Sequence, residues 1–96
     1  MSEMEHTLDG TRVRSKDEFY DAVAAALSFP AWFGRNLDAL HDCLRDLSWL
    51  PSGEHVLVWS APEVFRAADP EGYEAVAGVL TDASVAGALR VELRPR

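Results

Sequence analysis

Three aspartates, Asp38, Asp42 and Asp46, stand four residues apart in the stretch NLDALHDCLRD, with His41 and Cys43 among them. On a helix that spacing stacks the carboxylates on one face. Such a face can meet a cationic partner. With His41, Asp38 and Asp42 could also ligate a divalent metal or form an acid–base set. At 100° per residue, Leu37, Leu40, Cys43, Leu44 and Leu47 share one side, and the aspartates lie nearly opposite within about 80°. Cys43 therefore reads as a buried, unreactive thiol. Neighbouring side chains on a convex helix enclose no pocket, which weighs against metal or acid–base chemistry. The plain alternative is a solvated acidic face, softened by Arg35 and Arg45, each three residues from an aspartate. Two like-charge pairs cost about 0.4–1 kcal/mol, against a domain stability of roughly 5–15 kcal/mol. Repulsion that small needs no functional compensation.

The loop before this helix shifts the balance. FPAWFG places Phe29, Trp32 and Phe33 between Pro30 and Gly34. At least one of these aromatics is expected to cap the core. An exposed aromatic beside exposed carboxylates has the composition of a surface for a cationic partner. The rest of the chain has no phosphate-binding loop, nucleophile elbow, CxxC or HExxH pattern. No enzyme, metal or cofactor is expected.

Several elements must hold that helix. Ser15 and Glu18 read as a capping box, followed by Phe19, Ala22, Val23, Ala26 and Leu27 at helical spacing over 16–27. Asn36 suits the N-cap of the acidic helix. Residues 55–59, HVLVW, are apolar throughout and predict a strand buried on both faces. Ser60 is a cap for a helix at SAPE, with Pro62 in its first turn. Asp69-Pro70-Glu71 opens a last helix with Tyr73, Val76, Ala77 and Leu80 inward and Gly87 at its end. LRVELR alternates, Leu89, Val91 and Leu93 toward the core. At the start, MEHTLDG reads either as a strand with Met4, His6 and Leu8 on one face or as one arm of an Asp9-Gly10 hairpin with TRVR. The order points to an α/β fold: a small parallel sheet joined by right-handed helical crossovers.

The 96 residues fit one domain over 1–96, with residues 1–4 read as a loosely ordered extension. A formal charge of −7, from 16 acidic and 9 basic side chains, disfavours direct binding to nucleic acid or an anionic membrane. It suits a basic partner or simple solubility. One cysteine forms no internal disulfide, and MSEMEHT lacks the basic and apolar regions of a signal peptide. The expected location is the cytoplasm.

FPAWFGRNLDALHDCLRD resembles the signature segment of the barstar family, intracellular inhibitors of barnase-like secreted ribonucleases. The matching residues are Pro30, Trp32, Phe33, Gly34, Asn36 to Leu40, then His41, Asp42, Cys43 and Leu44. LDGTRVRSKDEFYDAVAAAL, VLVW and AVAGVLTDA extend the resemblance over nearly the whole chain. It implies a three-stranded parallel sheet with four helices, and inhibition by occupying the nuclease active site. The partner it implies is a secreted guanyl-specific ribonuclease of the barnase or RNase Sa type, bound 1:1 by a monomeric inhibitor. Asp42 matches the anchor that enters the phosphate-binding centre, and Asp38 the second inhibitory acid. Trp32 matches the aromatic over the catalytic histidine, Gly34 a backbone contact, and Asp82 a peripheral acid. Phe33, His41 and Arg45 complete the expected contact patch. Here Trp32 and Phe33 stand for tyrosines, His41 and Leu47 for tryptophans, and Ala86 where a further acid can occur. Arg45 replaces a small polar residue. Two rival functions remain: an acidic module of this fold with a non-nuclease basic partner, and a metal-assisted hydrolase using Asp38, His41 and Asp42.

Overall fold

The computed structural model describes residues 3–96. Three strands, β1 (Glu3–Asp9), β2 (Glu54–Ser60) and β3 (Arg90–Arg94), form one sheet in the order β1-β2-β3, parallel throughout. Two helices, α1 (Lys16–Leu27) and α2 (Leu37–Asp46), connect β1 to β2, and α3 (Glu63–Ala68) and α4 (Pro70–Val85) connect β2 to β3. This is the barstar-like α/β arrangement of three strands and four helices. Two successive crossovers of one hand, each moving one strand over, deliver all their helices to the same side of the sheet.

That side carries the core. Leu8, Leu57 and Trp59 cluster with Phe19, Val23 and Leu27 of α1, Leu40 and Leu44 of α2, Phe65 of α3 and Val76 and Leu80 of α4. Trp59 is its centre, with ring centroids 5.0 Å from Phe19 and 5.6 Å from Tyr73. Aromatic pairs at such distances add about 0.5–1.5 kcal/mol each beyond burial. β2 is buried on its other face too, but by the sheet itself. Val56 lies between Glu5 and Arg90, and Val58 between Thr7 and Glu92. The Arg90 guanidinium reaches the Glu3 carboxylate at 2.8 Å, so two charged side chains of the edge strands bridge across β2 beside Val56.

The caps follow their local signals. Ser15 Oγ accepts from Glu18 N at 3.1 Å, Asn36 Oδ1 from Ala39 N at 2.8 Å, and Asp69 Oδ1 from Gly72 N at 3.1 Å. Glu18 returns its bond one residue earlier than a capping box does, accepting from Arg14 N at 2.8 Å. Gly87, at φ +78°, lies just past the end of α4.

Four expectations need correction. Asp9-Gly10 makes no hairpin: β1 pairs with β2, and residues 10–12 form a 3-10 turn capped by Asp9. A Cβ on Gly10 would lie 2.1 Å from the Ser60 carbonyl oxygen, so glycine allows the chain leaving β1 to pass this close to the end of β2. Ser60 does not cap α3; its hydroxyl donates to the Leu8 carbonyl at 3.3 Å and ties β2 to β1. Leu93 is 45% exposed, because β3 is an edge strand with a neighbour on one side only. Glu3 and Met4 belong to β1, held by ladder pairing to Glu54 and His55; the remainder of the expected extension, residues 1 and 2, lies outside the described residues.

Polar groups meet at one end of the sheet. His6 Nε2 lies 2.9 Å from His55 Nδ1, and His55 Nε2 lies 2.8 Å from the Pro51 carbonyl oxygen. That oxygen only accepts, which assigns the proton to His55 Nε2 and makes its Nδ1 the acceptor for His6 in the neutral pair. Burial, and then repulsion from a charged His55, hold the His6 pKa below its usual value against a raising backbone bond to Ala26. A base with a depressed folded pKa resists protonation in the native state. Its contribution is complete above about pH 6.5 and is lost as pH falls through the folded value. Urea denaturation at pH 7.5 and 5.5 is expected to give the lower midpoint at pH 5.5, with a smaller difference in His6→Leu.

Candidate functional site

The inward leucines set how α2 is turned. Leu40, Cys43 and Leu44 are wholly buried, Leu47 nearly so, and Leu37 packs on the core from its edge. Asp38, Asp42 and Asp46 are consequently exposed on the outer face. Asn36 caps the helix start, and Leu47 ends it in a left-handed conformation at φ 49°. Asp38 stands in the first turn, where the helix dipole favours a negative charge.

Local arginines do not soften this face. Arg35, at φ 53°, turns from Asp38 to α1: it pairs with the Asp21 carboxylate, reaches that of Asp17 at 3.6 Å, and donates to the Asp17 carbonyl at 3.4 Å. Arg35 is exposed, so these contacts are worth little as stability. Their effect is geometric, tying the start of α2 to α1. Arg45 is exposed and forms no ion pair among the described residues. Asp38, Asp42 and Asp46 form none either, nor does His41, which is half-buried. The outer face of α2 therefore holds three uncompensated carboxylates and one uncompensated guanidinium.

The aromatic loop divides its residues. Trp32 is 66% exposed, whereas Phe33 turns inward, edge-on to Phe29 at 4.8 Å and to Tyr20 at 6.0 Å. Phe33 N donates to the Pro30 carbonyl at 3.0 Å, closing a turn that holds Trp32 at its tip. Trp49, from the segment after α2, was not marked by sequence reasoning. Its Nε1 donates to the Leu27 carbonyl at 3.0 Å, and its ring stands edge-on to Trp32 at 6.4 Å and Phe29 at 5.8 Å. A half-buried tryptophan thus braces an exposed one. The only signal was a tryptophan just beyond the acidic helix, with nothing local to show its target.

Gly34 is exposed beside Asn36, whose Nδ2 donates to the Gly34 carbonyl at 3.3 Å. Asp82 is exposed on α4, which packs against α2, but makes no ion pair or side-chain hydrogen bond with it among the described residues. Gly34, Asp38, His41, Asp42 and Arg45 thus lie along one helix and its entry, with Trp32 exposed in the loop before it. Phe33 supports the group from beneath, and Asp82 stands on a separate helix. Among the described residues no three His, Cys, Asp or Glu side chains form a group able to hold a metal ion, and Asp38, His41 and Asp42 are no exception. No helix among them is long and apolar enough to cross a membrane.

A rigid helix with outward carboxylates, an adjoining exposed indole and no enclosing cavity suits docking onto another molecule. A family model described as Barstar (barnase inhibitor) matches residues 3–94. The chain belongs to the barstar family. That is a family of inhibitors, and its description names barnase as the protein inhibited.

Two properties of α2 are open to measurement. Asn36→Ala removes the bond to Ala39 N and is expected to lower stability by about 1 kcal/mol, with Asn36→Asp restoring most of it; thermal or urea unfolding checks this. Burial, and then the Asp42 and Asp46 carboxylates, raise the Cys43 thiol above its usual pKa. Cys43 is expected to resist disulfide-exchange reagents at pH 8 in the native protein and to react on unfolding.

Proposed function

We propose that this chain is an intracellular, non-enzymatic inhibitor of a secreted guanyl-specific ribonuclease of the barnase or RNase Sa type, bound 1:1 through α2 and the loop before it. A ribonuclease active site gathers cationic groups around the scissile phosphate. Carboxylates on a preformed helix offer the same charge and the same acceptor oxygens, without a scissile bond. Asp42 is the anchor in the phosphate-binding centre and Asp38 the second mimic. Trp32 packs over the catalytic histidine, and Gly34 supplies a backbone contact. Phe33, His41 and Arg45 complete the patch around them, and Asp82 meets the nuclease at the periphery.

The observation that carries this reading is that Asp38 and Asp42 form no ion pair among the described residues of a member of a barnase-inhibitor family. Carboxylates without internal partners keep their acceptor sites free for the nuclease, and their mutual repulsion is relieved on binding. Complementary charge also speeds encounter, an effect that salt weakens.

Titration of barnase with the wild-type chain is expected to abolish RNA cleavage near 1:1, with association slowing as salt rises. Truncating one member of a buried, hydrogen-bonded charge pair costs about 2–5 kcal/mol, a range for which barnase–barstar is itself a source. Asp42→Ala is therefore expected to weaken inhibition by at least about thirtyfold, and Asp38→Ala by less. Undiminished inhibition by Asp42→Ala would refute phosphate mimicry. Binding to a basic protein with ribonuclease activity untouched would point to the non-nuclease module, and metal-dependent turnover by the chain alone to a hydrolase.

A further inference from the structure

Arg45 does not fit a surface whose whole purpose is negative charge. Measured around the helix axis from Asp38, it lies at about −20°, with Asp42 at about +40°, so all three fall within about 60°. It stands about 4.5 Å farther along the axis than Asp42 and about 10.5 Å farther than Asp38. Docking that seats both aspartates must also cover Arg45. With His41, Asp42 and Asp46 it lines a shallow depression on the outer face. Asp46 is its chain neighbour and Asp42 is three residues back, yet it pairs with neither.

A guanidinium covered by a cationic surface would be both desolvated and repelled. An anionic group on the partner resolves both penalties at once. A ribonuclease that cleaves through the 2′-hydroxyl needs a general base close to the phosphate that the cations bind, and where that base is a carboxylate it supplies such a group. Resting on the inhibitor reading above, we infer that Arg45 faces the partner's general-base carboxylate when Asp42 occupies the phosphate site. The helix thus presents a minus, minus, plus template to a site that is plus, plus, minus. Arg45 then selects among cationic partners: a basic surface without the carboxylate is disfavoured by the same charge.

The sign of one substitution tests this. The partner's overall field is positive, so long-range attraction alone makes Arg45→Glu bind faster and tighter. A facing carboxylate makes it bind more weakly through a higher dissociation rate. Stopped-flow and inhibition titrations would use barnase, and barnase with its general-base glutamate changed to glutamine. Against native barnase, Arg45→Ala is expected to lose about tenfold in affinity and Arg45→Glu more. Against the amide variant both losses should shrink to within about twofold. Tighter or unchanged binding by Arg45→Glu, or losses that persist against the amide variant, would overturn the assignment. Asp42→Ala in the same series separates the two levels. If it weakens binding while the Arg45 variants do not, only the role of Arg45 falls. If it too binds as wild type, the inhibitor reading falls with it.

Discussion

The rotational setting of α2 is the constraint on which the candidate site depends. Leu40, Cys43 and Leu44 are wholly buried and leave no freedom to turn the helix about its axis. A rotation of one residue, about 100°, would carry these side chains out of the core and bring an aspartate in. Burying a leucine is worth about 1.5–3 kcal/mol, whereas burying an unpaired carboxylate costs far more. The two terms reinforce each other, so core packing alone orients the carboxylates. The surrounding devices refine this setting: the Asn36 cap fixes where the helix starts, and Arg35 ties that start to α1.

One level up, the strand order makes α2 available. With both crossovers of one hand and the strands in sequential order, the four helices share one face of the sheet. That face is crowded, and α2 packs against α4 with its opposite side free. Among the described residues the other face of the sheet carries no helix, and the Arg90–Glu3 pair bridges it beside Val56. The fold therefore spends its apolar surface on one layer and leaves an acidic helix as an outer wall. Rigidity suits a binding surface, because groups already held in place lose little freedom when a partner arrives.

What could be read from the sequence was whatever has a local cause. Helix periodicity, the caps at Ser15, Asn36 and Asp69, and the uniform apolar run of β2 each reflect neighbours within a few residues, and each stands in the structure. The acidic stripe was legible for the same reason. The misread features depend on residues far along the chain. The Asp9-Gly10 turn could not show that Ser60, 50 residues on, would lie against it. Ser60 had the chemistry of a cap, but a strand carbonyl at Leu8 took its hydroxyl. Leu93 alternates like a core residue, and only the sheet order reveals an edge. Trp49 gains its role from a carbonyl on α1 and a ring in another loop.

Arg35 and Arg45 show how a distant partner changes local electrostatics. Sequence spacing sets each three residues from an aspartate, close enough to neutralise it. The fold offers Arg35 two carboxylates on α1 instead, and it takes those while its backbone turns left-handed at the start of α2. Asp38 is thereby left unpaired in the turn where the helix dipole stabilises it. Arg45 forms no ion pair among the described residues, and remains apart from both Asp42 and Asp46. Arg35 is held by two carboxylates and a carbonyl together, whereas a single pairing at the surface would gain under about 1 kcal/mol. The same weakness keeps every charge on this face free for stronger, desolvated pairs when a partner covers it. An acidic surface that had satisfied itself would be a poorer ligand for a cationic site. The uncompensated state of α2 is therefore what the proposed inhibition draws on.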